Sequence, residues 1–182
     1  MYTTKEAVEK YLGISISETI DEWINAIQKF IDNYTGTRFE ISAEETRYFD
    51  GNGKKNLLID ECVSVSKVEV KEGESWYEIS DYYLYPLNST PKFQILNLEG
   101  IFPKGNKNVR ITGKFGFSET PPDDIKLVAT ILVAGVYNNK RRTEKEIKTE
   151  RIGDYSVSFD EKQFKDFEWA MKVLKSYRLW KF

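Results

Sequence analysis

The chain has 182 residues, of which 40% are hydrophobic and 31% charged, a balance typical of one ordered globular domain. It contains no histidine and a single cysteine, Cys62, so the commonest general base and metal ligand are missing and no intramolecular disulfide can form. The formal net charge of −2 argues against a dedicated nucleic-acid-binding protein.

Two helices are predicted at the N-terminal end. Residues 3–6 fit a capping box with Thr3 as the N-cap, and the helix that follows is expected to end at Gly13. Residues 15–18 repeat this pattern ahead of a longer helix that Gly36 ends. The start of the sequence lacks the basic and apolar segments of a signal peptide, which with the lone cysteine favours a cytosolic origin. One face of the longer helix carries Ile20, Trp23, Ile24, Ile27, Ile31 and Tyr34.

The middle of the chain, from residue 46 to 117, changes to the alternating pattern of β-strands. A bulge is expected between Val65 and Val68. Turn signals separate the strands, and the whole region predicts an antiparallel sheet or a small β-barrel. The predicted strands are residues 46–49, 56–59, 63–70, 76–79, 82–85, 93–96 and 109–115, and the turns are residues 50–53, 72–73, 88–89 and 104–106.

Helical patterns return after the prolines at 121 and 122. Residues 125–136 are apolar nearly all round, which predicts a buried central helix. Residues 138–150 are charged and are predicted to form a loop, and residues 154–159 a short extended arm. Asp160 is expected to cap a last helix, whose predicted face is Phe164, Phe167, Met171, Leu174 and Arg178.

The predicted fold class is α+β. Residues 1–40 and 121–182 are expected to form an α-helical bundle core, with residues 45–118 inserted as the β region of a single domain that spans residues 1–182. Neither a cofactor nor a metal is expected.

Several motifs resemble catalytic or ligand-binding sites, but their patterns are better explained by structural roles. Residues 50–53, Asp-Gly-Asn-Gly, resemble the start of a calcium loop but favour a hairpin turn, since a predicted strand and no helix follows. Residues 113–117 lack the spacing of a phosphate loop and favour a strand with a close backbone approach. Asp123 and Asp124 are explained by the dipole at a helix start. Cys62 has no base partner and is expected to be a buried thiol.

Charge is distributed unevenly along the chain. Residues 1–61 carry 7 basic and 12 acidic groups, whereas residues 138–182 carry 12 basic and 8 acidic groups. Copies with opposite charges at their two ends attract one another head to tail, and such contacts close into rings, although chance scatter explains the pattern equally well. DNA phosphates attract basic loops, but interleaved glutamates favour a solvated or subunit-facing role. The densest basic stretch comprises Lys140, Arg141, Arg142, Lys145 and Lys148.

The order of segments resembles the head–tail connector, or adaptor, family of long-tailed bacteriophages and prophages. The stretch 150–159, ERIGDYSVSF, is the most specific. The resemblance implies a virion structural protein, not an enzyme, that forms a ring of usually twelve subunits beneath the portal protein. Such a ring extends the DNA channel, with transient DNA passage and no membrane contact, and binds a stopper or tail-completion protein. The other matching stretches are residues 2–13, 31–39, 46–51, 82–86 and 121–125.

Carried onto this chain, the resemblance implies two contact regions. Portal contacts are expected at Tyr177, Arg178, Trp180, Lys181 and Phe182. Contacts with the neighbouring subunit are expected at Arg151, Ile152, Asp154, Tyr155, Val157 and Phe159. Folding back of the tail onto the bundle is an equally weighted alternative. Three other functions stay open: a stopper or tail-completion protein, a histidine-free enzyme such as a carboxylate-dependent hydrolase or metal nuclease, and a ligand-binding module built on residues 76–85.

Overall fold

The computed structural model describes the backbone of residues 1–149 and 161–178, and the side chains of residues 1–141 and 165–178. Within these residues the chain forms four helices and a six-stranded antiparallel sheet, which confirms the predicted α+β class. No helix in the described ranges is long and apolar enough to span a bilayer.

The chain divides into two compact units. One consists of residues 1–37 and 121–182, and its described part contains the four helices; the other consists of residues 38–120 and contains the sheet. That they act together as a single domain over residues 1–182 stays a prediction.

Helix α1 (Lys5–Leu12) begins one residue later than predicted. The side chain of Thr4 accepts a hydrogen bond from the amide of Ala7 at 3.3 Å and caps the helix, so Thr3 as the N-cap was wrong. The reason is that Thr3 is buried and shares a hydrogen bond of 2.7 Å with the hydroxyl of Thr130. The predicted end is confirmed, because Gly13 adopts the left-handed conformation with φ of 67°.

Helix α2 (Asp21–Thr35) starts without a side-chain cap, and the capping box predicted at residues 15–18 was wrong. Ile16 and Ile20 are both buried, and the Ile16 amide donates to Glu9 Oε1 at 2.7 Å, which fixes this segment in a non-helical path. The predicted end at Gly36 is confirmed by its φ of 73°.

Helix α3 (Asp123–Thr149) is longer than the sequence pattern indicated, and helix α4 (Glu161–Ser176) follows. The loop predicted at residues 138–150 was wrong, since residues 138–149 continue α3. Lysine, arginine and glutamate are strong helix formers, but a segment that is polar all round lacks the apolar periodicity that distinguishes a helix from a loop. The basic residues predicted in a loop therefore lie in α3: Lys140, Arg141, Arg142, Lys145 and Lys148.

The first half of α3 is the centre of the helical unit, as predicted. Ile125 and Val133 are fully buried, whereas Leu127 is 44% exposed. On α4, Leu174 is buried but Phe167 is 50% exposed, so the predicted face of α4 is only partly covered. The side chain of Phe164 and the predicted cap Asp160 lie outside the described residues.

The sheet consists of β1 (Glu45–Gly51), β2 (Asn56–Glu72), β3 (Ser75–Glu78), β4 (Tyr82–Tyr85), β5 (Lys92–Asn97) and β6 (Gly105–Phe115). Its strand order is β1-β6-β2-β5-β4, with β3 paired to β2, so within residues 38–120 it is an open sheet rather than a barrel. The hairpin turn predicted at residues 50–53 was wrong, because β6 lies between β1 and β2. The two strands predicted at 56–59 and 63–70 merge into β2, whose bulge between Val65 and Lys67 confirms the predicted irregularity.

One face of the sheet carries a buried apolar cluster, and the strands approach each other closely at Gly113. A Cβ atom on Gly113 would lie 2.3 Å from the carbonyl oxygen of Ser64, which confirms the predicted close backbone approach. The buried cluster comprises Leu57, Cys62, Val68, Val70, Ile79, Ile95, Phe102, Val109, Ile111 and Phe115.

Candidate interaction surfaces

The C-terminal end of α4 is tied to the start of α3. The hydroxyl of Tyr177 donates to Asp124 Oδ2 at 2.9 Å, and the other carboxylate oxygen accepts from the Ile125 amide at 2.8 Å. Burial and the hydrogen bond to Asp124 raise the pKa of Tyr177 to about 12. The Tyr177 side chain therefore contacts the helical bundle, and a portal contact at Tyr177 stays a prediction.

Of the other predicted portal contacts, Arg178 is the one within the described residues. The guanidinium of Arg178 is exposed and lies 5.8 Å from the centre of the Tyr34 ring. Trp180, Lys181 and Phe182 lie outside the described residues. Portal contact at these positions stays a prediction.

A second tyrosine–aspartate pair holds α4 to α1. The hydroxyl of Tyr11 donates to Asp166 Oδ2 at 2.6 Å, and burial together with this bond raises the pKa of Tyr11 to about 12. The pair lies at the side of a groove of about 480 Å³ in the helical unit. Phe30 and Phe167, which are 41% and 50% exposed, belong to its wall. The groove is also lined by Leu12, Ile27, Ile131, Leu132, Ala134, Gly135, Val136, Asn138 and Asn139.

The first two residues of the basic stretch make contacts inside the helical unit. Lys140 forms an ion pair of 2.5 Å with Glu18 and lies 5.0 Å from the centre of the Trp23 ring. The Arg141 guanidinium lies 5.7 Å from the Tyr137 ring. Lys140 is therefore engaged by a carboxylate and an aromatic face. The side chains of Arg142, Lys145 and Lys148 lie outside the described residues.

The predicted inter-subunit arm also lies outside the described residues. Its candidates stay predictions: Arg151, Ile152, Asp154, Tyr155, Val157 and Phe159.

On strands β1, β6, β2 and β3, the sheet face opposite the apolar cluster carries a charged and aromatic cluster that the sequence did not predict, and Glu69 at its centre is 6% exposed. Arg110 donates from Nε and Nη2 to the two carboxylate oxygens of Glu69 at 2.6 and 2.7 Å. Lys67 adds a contact of 2.9 Å to Glu69, and the Arg110 guanidinium lies 4.4 Å from the centre of the Trp76 ring. The Arg110 hydrogen bond, against the effect of burial, lowers the pKa of Glu69 to about 2. The rings of Tyr48 and Trp76 pack edge to face, with their centres 6.1 Å apart. Strand alternation predicts which side chains of one strand share a face. It does not predict which strands pair, so the sequence could not bring these residues together.

Towards the β4 edge of the sheet, strands β2 and β4 expose apolar and aromatic side chains. Leu58 is 68% exposed and Tyr83 is 52% exposed. Tyr82 and Leu84 alternate with Tyr83 and pack against the buried cluster. Residues 76–85, considered as a ligand-binding module, thus belong to β3, β4 and the link between these two strands.

The residues considered for catalysis or metal binding are buried or form local hydrogen bonds that stabilise the fold. Cys62 is fully buried, and burial raises the pKa of its thiol to about 11, which suppresses the reactive thiolate. Asn52 donates to the carbonyl of Asn56 and accepts from the amide of Lys54, so its side chain closes a local turn. Among the described side chains, no group of three or more His, Cys, Asp or Glu residues is arranged to hold a metal ion.

Comparison with known proteins gives a family match over nearly the whole chain. Residues 2–180 match the family model described as "Head completion protein". A chain in the neck of an empty GTA particle computed with C6 symmetry shares 14% identity and a TM-score of 0.60, over 97% of this chain and 88% of that one. A chain in the virion of a native gene transfer agent (GTA) particle shares 15% identity and a TM-score of 0.58, over 97% and 89%. At these identities the likeness shows a common fold. No curated protein sequence matches this chain significantly.

Proposed function

Because the chain belongs to the head completion protein family, we propose that it is a structural protein of the junction between head and tail in a tailed phage, prophage or related particle. In this role it is an adaptor that forms a ring beneath the portal, extends the DNA channel and carries the next connector protein. The observation that supports the proposal most is the family match, which covers residues 2–180 and so includes both compact units.

The shared fold supports the same location. The neck of the GTA particle was computed with sixfold symmetry, and a ring of six or twelve copies satisfies such symmetry. We propose twelve copies of this chain in the virion. Neighbouring copies then meet through heterologous contacts, because an identical surface patch cannot meet itself around a rotation axis of higher order than two.

The tail that follows α4 is the proposed portal contact. Tyr177 is already bonded to Asp124, so the contact falls on Arg178, Trp180, Lys181 and Phe182. Tryptophan and arginine are enriched among residues that dominate binding energy, since they combine large contact area with directional polar groups.

The arm and the uneven charge carry the proposed contact between subunits. Residues 151–159 of one copy lie against the next copy in this proposal, with the apolar positions at Ile152, Tyr155, Val157 and Phe159. The excess of acidic groups in residues 1–61 and of basic groups in residues 138–182 adds attraction between copies.

DNA passes the ring without being held tightly. The formal net charge of −2 fits a channel along which DNA slides, because dense cationic surfaces bind phosphates strongly. Lys140 is engaged by Glu18, so any phosphate contact falls on Arg141, Arg142, Lys145 and Lys148. Replacing the last three by glutamine is expected to reduce weak, salt-sensitive DNA retention. As a matched control, replacing Lys54, Lys55 and Lys71 of the sheet unit by glutamine is expected to leave DNA retention unchanged. An equal loss of retention in the two triple variants would contradict a DNA contact at residues 142–148.

A stopper or tail-completion protein of the same junction is the second candidate, because the family description names completion of the head. The two candidates differ in their first partner. An adaptor binds the portal directly, whereas a stopper requires an adaptor already in place.

Portal binding therefore tests the proposal. The affinity of the full chain for the portal of the same phage or prophage is measured by surface plasmon resonance and compared with a chain truncated after Arg178. We expect direct binding by the full chain and loss of at least about 30-fold in affinity on truncation, since the anchoring aromatic residues are removed. Absence of direct binding, with binding to a complex of portal and another connector, would favour the stopper.

A further inference from the structure

We propose that the hydrogen bond between Tyr177 and Asp124 positions the C-terminal tail for its partner, so that Tyr177 is a positioning residue and not itself a portal contact. This inference rests on the proposed contact between the tail and the portal. It assigns separate roles to residues that the sequence grouped together.

The acceptor of this bond has a fixed place in the helical unit. Asp124 belongs to the first turn of α3, and its Oδ1 accepts from the amide of Ile125 at 2.8 Å. Ile125 is fully buried, so the start of α3 is anchored in the core. The remaining carboxylate oxygen, Oδ2, receives the Tyr177 hydroxyl at 2.9 Å.

The donor, Tyr177, directly follows the last turn of α4. The amide of Tyr177 donates to the carbonyl of Leu174 at 3.2 Å, and the amide of Arg178 donates to the carbonyl of Lys175 at 3.3 Å. Leu174 is fully buried, so the backbone that carries Tyr177 is held by the core as well as by its hydroxyl.

A weaker contact supports the same arrangement. The Arg178 guanidinium lies 5.8 Å from the ring of Tyr34, near the end of α2. The ends of α2 and α4 and the start of α3 are thus linked by side chains immediately before residue 179. A segment whose starting point is fixed loses less conformational freedom on binding, and this raises its affinity for a partner.

The chain offers a matched control for the Tyr177 bond. Tyr11 donates to Asp166 on α4 at 2.6 Å, so it is a bond of the same chemistry on the same helix. Asp166 precedes Tyr177 by eleven residues, roughly 16 Å along a helix at 1.5 Å per residue. Tyr11→Phe and Tyr177→Phe each remove one hydroxyl, and only the second hydroxyl lies beside the tail.

The test uses two measurements on the full-length chain. Tail mobility is measured from a nitroxide label on F182C in a C62A background, and portal affinity is measured on unlabelled protein with native Phe182 and Cys62. We expect Y177F to increase label mobility and to weaken portal binding about three- to tenfold. Y11F is expected to leave mobility unchanged and affinity within about twofold.

Each other outcome has a definite meaning. Unchanged label mobility in Y177F, equal changes in Y177F and Y11F, or a portal affinity that truncation weakens and Y177F does not, would overturn the positioning role. If Y177F alone loosens the label while truncation after Arg178 leaves portal affinity intact, the anchoring stands and the proposed portal contact fails.

Discussion

Arg110 donates to both carboxylate oxygens of Glu69, a nearly buried residue on the sheet face opposite the apolar cluster, at 2.6 and 2.7 Å. The pKa of Glu69 falls from its ordinary 4.5 to about 2, so the folded protein binds this proton less readily than the unfolded chain. The pair is therefore expected to stabilise the fold fully above about pH 5, and to lose this effect as the pH falls from 4.5 towards 2.

The variant E69Q tests this relationship. It removes the charge and is expected to lower the free energy of unfolding at pH 7 by roughly 1–2 kcal/mol. It is also expected to make that free energy fall less as the pH is lowered. Urea denaturation at pH 7, 4 and 3 measures both effects. E74Q is the control, because Glu74 is exposed in the turn between β2 and β3, and an exposed carboxylate away from a helix end contributes little to stability. An unchanged acid dependence in E69Q would contradict this role of the pair.

Two glycine substitutions are expected to have opposite signs. In G113A the new Cβ lies 2.3 Å from the Ser64 carbonyl oxygen, so β2 and β6 must separate, at a cost of at least about 2 kcal/mol. Gly135 lies in the interior of α3, and a Cβ atom added there would meet no neighbouring atom within 4 Å, so G135A is expected to stabilise by about 0.5–1 kcal/mol. Thermal unfolding measures both changes. A neutral G113A would show that β2 and β6 do not approach each other this closely.

The thiol of Cys62 is expected to be inert in the folded protein. It is fully buried and its pKa is about 11, so the thiolate fraction at pH 8 is very small. An aromatic disulfide reagent at pH 8 is expected to label the chain only after a denaturant unfolds it. Labelling of the native protein within seconds would contradict the burial of this residue.

The two tyrosine–aspartate bonds predict a loss of stability in alkali. The pKa values of Tyr11 and Tyr177 rise from 10 to about 12, so between these values the unfolded chain releases protons that the folded chain keeps. Stability therefore falls as the pH rises from 10 to 12. The free energy of unfolding of the double variant Y11F/Y177F is expected to fall less over this range than that of the parent chain. An identical fall in both proteins would show that these bonds do not cause it.

The helical unit was predictable where apolar spacing is strong. The buried stretch of α3 around Val128 and the helix end at Gly36 follow directly from local pattern. The same reasoning failed at residues 138–149, because a helix without an apolar face has no period to detect. It also failed at residues 15–18, where burial of Ile16 and Ile20 overrides a good capping sequence.

The surfaces were less predictable than the fold. Glu69 and Arg110 are 41 residues apart, and only the pairing of β2 with β6 brings them together. The bond between Tyr177 and Asp124 likewise spans 53 residues and depends on how α3 and α4 pack. Local sequence carries no record of such pairings, so it grouped Tyr177 with the other tail residues and did not predict its bond to Asp124.

The central claim is that copies of this chain form a ring on the portal. Electron cryomicroscopy of the full-length protein mixed with its portal tests it directly. We predict a ring of twelve copies coaxial with the portal, with the density of residues 178–182 against the portal surface. Copies bound elsewhere on the particle, or no ring at saturating protein, would contradict it.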